Sequence, residues 1–447
     1  MRYYIKTFGC QMNVYDSQRI ADILDNMGHT PVSQIKNADI ILFNTCHIRE
    51  KAAEKLFSDL GRAEIIKQDR ALEGKETIIG VVGCVVQAEN EQISKRAPYV
   101  NFATGPLTYH RIPEILERIA RQKNICIIDT EFPAESKFDY LPENHAHGGC
   151  AYLAVQEGCN NFCTYCIVPY TRGVETSRPI DDVINEAKIL VNSGVLEINL
   201  LGQNVNSYHG EDANGKEHNL AYLLNKMSEI EGLQRLRYTT SYPADMTDDL
   251  ISCHKNLSKL MPYLHLPLQS GSDKILKAMN RRHNTAQYLT VIEKLQNANP
   301  NLRFASDFIV GFPGETDQDF EATLKIAKQI NYIQSFSFKY SRRPGTPAAV
   351  FPNQVEEKIK QQRLAVLQDE LFAMQLKFNQ SCTGKTMPVL FESKGKQKGE
   401  IFGRTPYMQT LVAKGDVSNL NLIKNVTITS GGMNSLAGTI INPTKVL

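Results

Sequence analysis

Glu157-Gly158-Cys159-Asn160-Asn161-Phe162-Cys163-Thr164-Tyr165-Cys166 sets three cysteines in one short loop. A four-iron cluster needs four ligands and this loop supplies three, so one iron keeps a position open for a small molecule. A structural zinc loop would instead pair two Cys-x-x-Cys knuckles, and no second knuckle follows. An open iron implies chemistry. The strand-like run at residues 151–155 ends just before Cys159. The loop therefore belongs at the carboxyl end of a strand, where ligands of α/β folds bind.

Outward from that loop, strand patterns near residues 151–155, 196–201, 236–240, 263–266, 304–310 and 335–340 alternate with helical periodicity. Six units are too few for a closed eight-fold barrel, so the pattern predicts an α/β domain built as a partial (β/α)6 barrel. Upstream, residues 3–8, 39–43 and 77–82 are strand-like, with helical stretches at 16–27 and about 48–67. That alternation predicts a doubly wound parallel sheet. Between the two, Pro133, Pro142, His145, His147, Gly148 and Gly149 supply linker chemistry. After an amphipathic stretch at 354–379, short β runs at 387–391, 410–414 and 425–429 predict a small antiparallel β-barrel. The expected division is 1–130, a linker at 131–149, 150–380 and 381–447.

A chain of 447 residues with 42% hydrophobic and 22% charged content is a globular protein, not a disordered one. No apolar run reaches membrane-spanning length and residues 1–6 enter directly into a strand pattern, so a cytoplasmic location is expected, with no membrane partner. Ten cysteines without a dense, even framework fit a reducing compartment. The tail from Lys385 to Lys445 carries eight Lys and Arg against Glu392, Glu400 and Asp416.

A second set of cysteines, Cys10, Cys46 and Cys84, closes three separate strand patterns: Thr7-Phe8-Gly9-Cys10, Phe43-Asn44-Thr45-Cys46 and Val82-Gly83-Cys84. Strands of one parallel sheet end on one edge, so the fold itself can gather three thiols. Singly, such a cysteine is usually a small buried hydrophobe. Three in the same situation argue for a ligand set. Cys126, Cys150, Cys253 and Cys382 lack this placement and read as ordinary reduced thiols, with Cys150, close to His145 and His147, the one to check.

The loop from Cys159 to Cys166, with Tyr165 before its last cysteine, resembles the signature of the radical S-adenosylmethionine enzymes. Together with Gly9-Cys10-Gln11-Met12-Asn13, Gly83-Cys84, Ile167-Val168-Pro169-Tyr170-Thr171-Arg172-Gly173, Leu200-Leu201-Gly202-Gln203-Asn204-Val205-Asn206, His265-Leu266-Pro267-Leu268-Gln269-Ser270-Gly271-Ser272 and Gly311-Phe312-Pro313-Gly314-Glu315-Thr316, it resembles the methylthiotransferases over essentially the whole chain. The resemblance implies two four-iron clusters, an auxiliary one on Cys10, Cys46 and Cys84 and a radical-generating one on Cys159, Cys163 and Cys166. It also implies that the basic tail is a TRAM-like RNA-binding barrel. Asn44-Thr45-Cys46-His47-Ile48-Arg49-Glu50-Lys51-Ala52 looks like the branch acting on isopentenyl-adenosine beside the anticodon, although His47 stands where a small residue is expected. The alternatives are methylthiolation of a ribosomal protein side chain or of another tRNA adenosine, and an iron-sulfur or RNA-binding protein without activity.

What the family implies for mechanism is cleavage of S-adenosylmethionine to a deoxyadenosyl radical, removal of hydrogen from carbon 2 of the base, and transfer of a methylated sulfur. Tyr165 would pack against the cofactor adenine, and Gln203, Asn204, Ser241, Gln269, Ser306 and Asp307, in or after successive strands, would hold its polar groups. Lys385, Lys394, Lys396, Lys398 and Arg404 would meet tRNA phosphates, with Phe402 and Tyr407 free to stack bases and Arg342 and Arg343 near the anticodon loop. The expected partners are a prenylated anticodon stem-loop and an electron donor such as flavodoxin or ferredoxin, with the protein a monomer.

Overall fold

The computed structural model describes residues 1–46, 50–122, 125–144 and 148–441, without the side chains of 50–53. The expectations placed on His47, on the start of the second helix and on His145 and His147 lie outside the described residues. The chain forms two compact units: Met1–His145 with Glu157–Asn160 and Ile167–Thr176, and Ala146–Gln156 with Asn161–Cys166 and Ser177–Leu447.

In the first unit, β1 (Arg2–Phe8), β2 (Thr30–Pro31), β3 (Ile40–Thr45), β4 (Ile78–Val82), β5 (Phe102–Thr104) and β6 (Ile127–Asp129) form one parallel sheet in the order β2-β1-β3-β4-β5-β6. Helices α1 (Gln11–Asn26), α2 (Glu50–Leu72), α3 (Cys84–Arg96) and α4 (Ile112–Arg121) connect the strands. β3 is buried along its whole length, because both faces of a parallel sheet are covered. Ile40 and Leu42 pack with Ile20, Leu24, Ile112 and Leu116. Ile41 and Phe43 pack on the other side with Leu56, Leu60, Ile79 and Val81. This is the expected doubly wound sheet. β5 and β6 escaped the sequence reading because three residues are too few to show a period. A one-turn helix, α5 (Val168–Arg172), also belongs to this unit and lies against α3.

The second unit holds six parallel strands in two sheets. β7 (Cys150–Ala154), β8 (Glu197–Leu201) and β9 (Arg235–Tyr238) are ordered β9-β8-β7; β10 (Tyr263–His265), β11 (Arg303–Val310) and β12 (Gln334–Lys339) follow in sequence order. A parallel bridge between Leu236 and Leu260 links the two sheets. The six expected strands are all present, as an open arrangement of two halves. Alternate residues, among them Leu153, Ile198, Leu200, Leu236, Leu264, Phe304 and Phe308, face the helices in one apolar core.

The tail closes into a five-stranded barrel of Thr386–Lys394, Glu400–Arg404, Thr410–Lys414, Ile423–Gly431 and Leu436–Ile440. Two of these strands were not expected; Gly403 and Gly438 within them weaken the strand signal. Two arginines pin this barrel to β8 and β9. Glu197, 1% exposed, accepts from Arg237 Nε at 2.9 Å and Arg235 Nη1 at 3.3 Å. The free edges of the same guanidinium groups donate to the carbonyls of Pro388, Arg404, Thr405 and Pro406. Tyr407 packs edge-on against Phe378 at 5.4 Å, so its ring is committed to the protein and is not free to stack a base.

Candidate functional site

The first cysteine set is assembled at the carboxyl edge of the first sheet, since Cys10, Cys46 and Cys84 directly follow β1, β3 and β4 or a single glycine after them. Two side-chain amides tie the loops together: Asn13 Nδ2 donates to Asn44 Oδ1 at 3.0 Å and Asn44 Nδ2 to the Asn13 carbonyl at 2.9 Å. Gly9 and Gly83 have φ of +132° and +106°, and a Cβ on them would collide with Cys46 and with the Thr45 carbonyl respectively. Only glycine fits either place. Among the described residues no three His, Cys, Asp or Glu side chains close around a single ion. What marks the set is its thiol chemistry, the closeness of its backbone and the charge beside it.

That charge is Arg172, on α5. Its positive charge acts on the Cys84 thiol, which burial pushes up and the arginine draws back. A hydrogen bond with Cys46, and after it the Arg172 charge, bring the Cys10 thiol down to about 6 against the effect of burial. Thiolate is the form that binds iron. Arg172 also pairs with Asp16 and Glu157, and Lys137 bridges the same two carboxylates at 3.3 and 2.7 Å. None of these four entered the sequence reading as a functional residue, although Arg172 stands within the motif Ile167–Gly173.

The loop cysteines are held by backbone contacts on both flanks. Cys159 N–H donates to the Gly173 carbonyl at 3.2 Å, Cys166 N–H to the Cys163 carbonyl at 2.9 Å and Thr164 N–H to the Met279 carbonyl at 3.1 Å. Arg281 lies with Nη1 3.7 Å from Cys163 Sγ and its plane over the Tyr242 ring at 4.1 Å, a second cation beside a cysteine thiol that the sequence reading missed. Tyr165 packs with Ile275, Met279, Phe312 and Tyr340.

At the carboxyl ends of the second unit's strands, Gln156 Oε1 accepts from the backbone N–H of Gln203 and Asn204 at 2.9 and 3.2 Å. Asn204 Nδ2 donates to Asp245, which also holds Arg282. Asn204 Oδ1, Ser241 Oγ and Gln269 Oε1 are buried without a partner among the described residues. Thr240 and Gln269 carry left-handed backbone, with φ of +68° and +74°, as residues at functional sites often do. Orphaned polar atoms and strained backbone at neighbouring strand ends fit the carboxylate, amine and ribose of S-adenosylmethionine. Asp307 accepts from or pairs with His265 Nε2 at 3.1 Å. Ser306 is a correction: it lies on the helix-facing side of β11, and its hydroxyl accepts from Leu268 N–H at 3.0 Å.

Lys394, Lys396 and Lys398 are exposed at the end of their strand and in the turn after it. Arg404 is half-buried beside Glu392 at 3.7 Å and over the Phe402 ring, so its charge is partly spent within the barrel. Cys150 is enclosed by Glu197 and Asn199, and burial pushes its thiol up, away from the reactive form. Among the described residues no helix is long and apolar enough to cross a membrane.

Residues 2–105 match the model of Uncharacterized protein family UPF0004, 153–327 that of the Radical SAM superfamily and 380–441 that of the TRAM domain. Among solved structures, the fold is similar to the radical S-adenosylmethionine methyltransferase TsrM from Kitasatospora setae with cobalamin and a 4Fe-4S cluster bound. The TM-score is 0.57 at 10% identity, over 90% of this chain and 80% of that one. The cobalamin-dependent S-adenosylmethionine radical enzyme OxsB gives a TM-score of 0.52 at 11% identity, over 83% of this chain and 57% of that one. These likenesses are of fold alone. The tRNA-2-methylthio-N(6)-dimethylallyladenosine synthase of Rickettsia canadensis (strain McKiel) is 52% identical over 442 residues, 98% of this chain and 99% of that protein. Identity at that level, sustained along both lengths, joins the cysteine loops, the open barrel and the basic tail into one assignment: the chain belongs to the radical S-adenosylmethionine tRNA methylthiotransferases.

Proposed function

We infer that the chain adds a methylthio group to carbon 2 of a dimethylallyl-adenosine, the isopentenyl-adenosine beside the anticodon of tRNA. The observation that carries this reading is the near-complete, 52% identical match to a tRNA-2-methylthio-N(6)-dimethylallyladenosine synthase. A protein side chain as substrate is not favoured.

The radical SAM domain implies S-adenosylmethionine and one 4Fe-4S cluster. We assign that cluster to Cys159, Cys163 and Cys166, and a second to Cys10, Cys46 and Cys84. When bound, the first supplies with S-adenosylmethionine the radical that removes the base hydrogen, and the second supplies the place for the sulfur. Arg172 and Arg281 would balance thiolate charge at the two sets. Asn204, Ser241 and Gln269 would satisfy the polar groups of the cofactor, with Gln203 and Asp307 beside them, and Tyr165 would keep water from its adenine. Lys394, Lys396 and Lys398 would hold tRNA phosphates, with Arg404 contributing less. The working division is a methylthiotransferase domain at 1–130, a radical SAM domain at 150–380 and the tail barrel at 381–447. An external electron donor, a cytoplasmic site and a monomeric state complete the reading.

The test is mass spectrometry of nucleosides after incubating reconstituted protein with anticodon stem-loops. The prenylated stem-loop should gain the methylthio group, and the unmodified transcript should be a poor substrate. Thiolation of a ribosomal protein with no product on prenylated RNA would overturn the reading.

A further inference from the structure

The register of the second barrel sheet pairs Asp307 with Phe336 and Ile309 with Phe338. Directly paired residues share a face of the sheet. Phe304, Phe308 and Val310, the alternate residues of β11, belong to the helix-side core, so Phe336 and Phe338 stand on the opposite, concave face. There the Phe336 ring meets His265 edge-on at 6.2 Å, and His265 is held by Asp307 at 3.1 Å. Both phenylalanines are left open to solvent, 41% and 38% exposed. The concave face of the neighbouring sheet is polar. Asn199, 1% exposed, binds Glu197 through Nδ2 at 3.1 Å while its Oδ1 has no partner among the described residues.

Two uncovered aromatic rings beside a polar pair, inside an open barrel, match one kind of occupant. Enzymes acting on a base take it out of its stack, so the unit that would reach such a face is a single everted base. An adenine carrying a branched alkenyl group presents a polar edge and an apolar tail side by side. We propose that Phe336 and Phe338 are specificity-determining residues that seat the dimethylallyl group of the substrate, with His265, held in place by Asp307, facing the polar edge of the base. The assignment rests on the substrate reading above. In a hydrophobic pocket even one methylene is worth roughly 10- to 200-fold in discrimination.

The test compares kcat/KM for stem-loop RNAs with and without the dimethylallyl group, using full-length reconstituted protein. The double variant Phe336→Ser, Phe338→Ser should lose roughly tenfold or more of the wild-type preference, mainly through KM for the prenylated RNA. Phe336→Leu with Phe338→Leu, which keeps the wall apolar, should retain most of it. A double serine variant with native iron content, native melting and undiminished preference would overturn this assignment and leave the substrate reading standing. Wild-type protein that fails to thiolate prenylated RNA would overturn the substrate reading, and the assignment with it.

Discussion

Arg172 and Asp16 form an ion pair of 2.6 Å whose side chains are 4% and 1% exposed. Glu157 takes the other side of the guanidinium and Lys137 closes the square, so two positive and two negative charges are sealed from water. Removing one member of such a set strands its partner in a poorly solvating interior, at a cost of about 3–5 kcal/mol. Arg172→Gln should therefore lower the first unfolding midpoint of the apoprotein markedly. Adding Asp16→Asn should recover part of the loss, because no unpaired carboxylate then remains at that corner. Denaturant unfolding of the single and double variants measures this, and an unchanged midpoint in Arg172→Gln would rule the buried square out.

The two cysteine sets should be separable by metal content. Anaerobically reconstituted protein should hold about eight irons, and Cys159, Cys163 and Cys166 replaced together by Ala should leave about half. That variant should make no deoxyadenosine from S-adenosylmethionine. The variant lacking Cys10, Cys46 and Cys84 should make deoxyadenosine and no thiolated base. Iron analysis and nucleoside chromatography check both, and methylthio product from the second variant would leave its three cysteines without a role in sulfur delivery.

The placement of the six cysteines was legible in sequence because spacing within a loop and position after a strand are local properties. Cys159, Cys163 and Cys166 share one loop, and Cys10, Cys46 and Cys84 each follow a recognisable strand. The buried square was not legible, since Asp16, Lys137, Glu157 and Arg172 come from four separate elements and loops that only the fold unites. Strand phase decided the fate of two neighbours: Asp307 faces the concave side and Ser306 the helices, a distinction that alternation in a strand buried on both sides conceals. In the tail, glycines within short strands hid two of five barrel members. The aromatic Tyr407, which composition made a stacking candidate, is instead packed against Phe378.

Two buried histidines give the fold a defined acid sensitivity. Burial brings His254 down to about 4, and burial with the nearby Arg281 brings His283 down to about 3. Both are neutral in the folded protein at pH 7, as they are in the unfolded chain above its ordinary value of about 6.5. As pH falls below that value the unfolded chain takes up the protons first, so stability is lost on acidification and the loss for His254 is complete near pH 4. The cost for His254 is up to about 3 kcal/mol. His254 Nε2 bonds the Tyr238 hydroxyl at 2.6 Å, so His254→Gln retains a polar partner while removing the titration. Melting of the apoprotein across pH 4 to 7 should fall less steeply in this variant; parallel curves would place the acid sensitivity elsewhere.

Exposed Lys394, Lys396 and Lys398 lie in and just after the first strand of the tail barrel, whereas Arg404 is partly neutralised by Glu392. A cation that neutralises a phosphate releases a condensed counterion, so each real contact adds to the salt dependence of binding. Replacing the three lysines by Ala should flatten the plot of log affinity for prenylated stem-loop against log salt by roughly one unit per lysine that meets phosphate. Arg404→Ala should flatten it less, because its guanidinium already has a carboxylate partner. Fluorescence anisotropy titrations at several salt concentrations measure both slopes. An unchanged slope in the triple lysine variant would remove this edge of the barrel from the tRNA interface, and a larger change for Arg404 than for the lysines would reverse their assigned order.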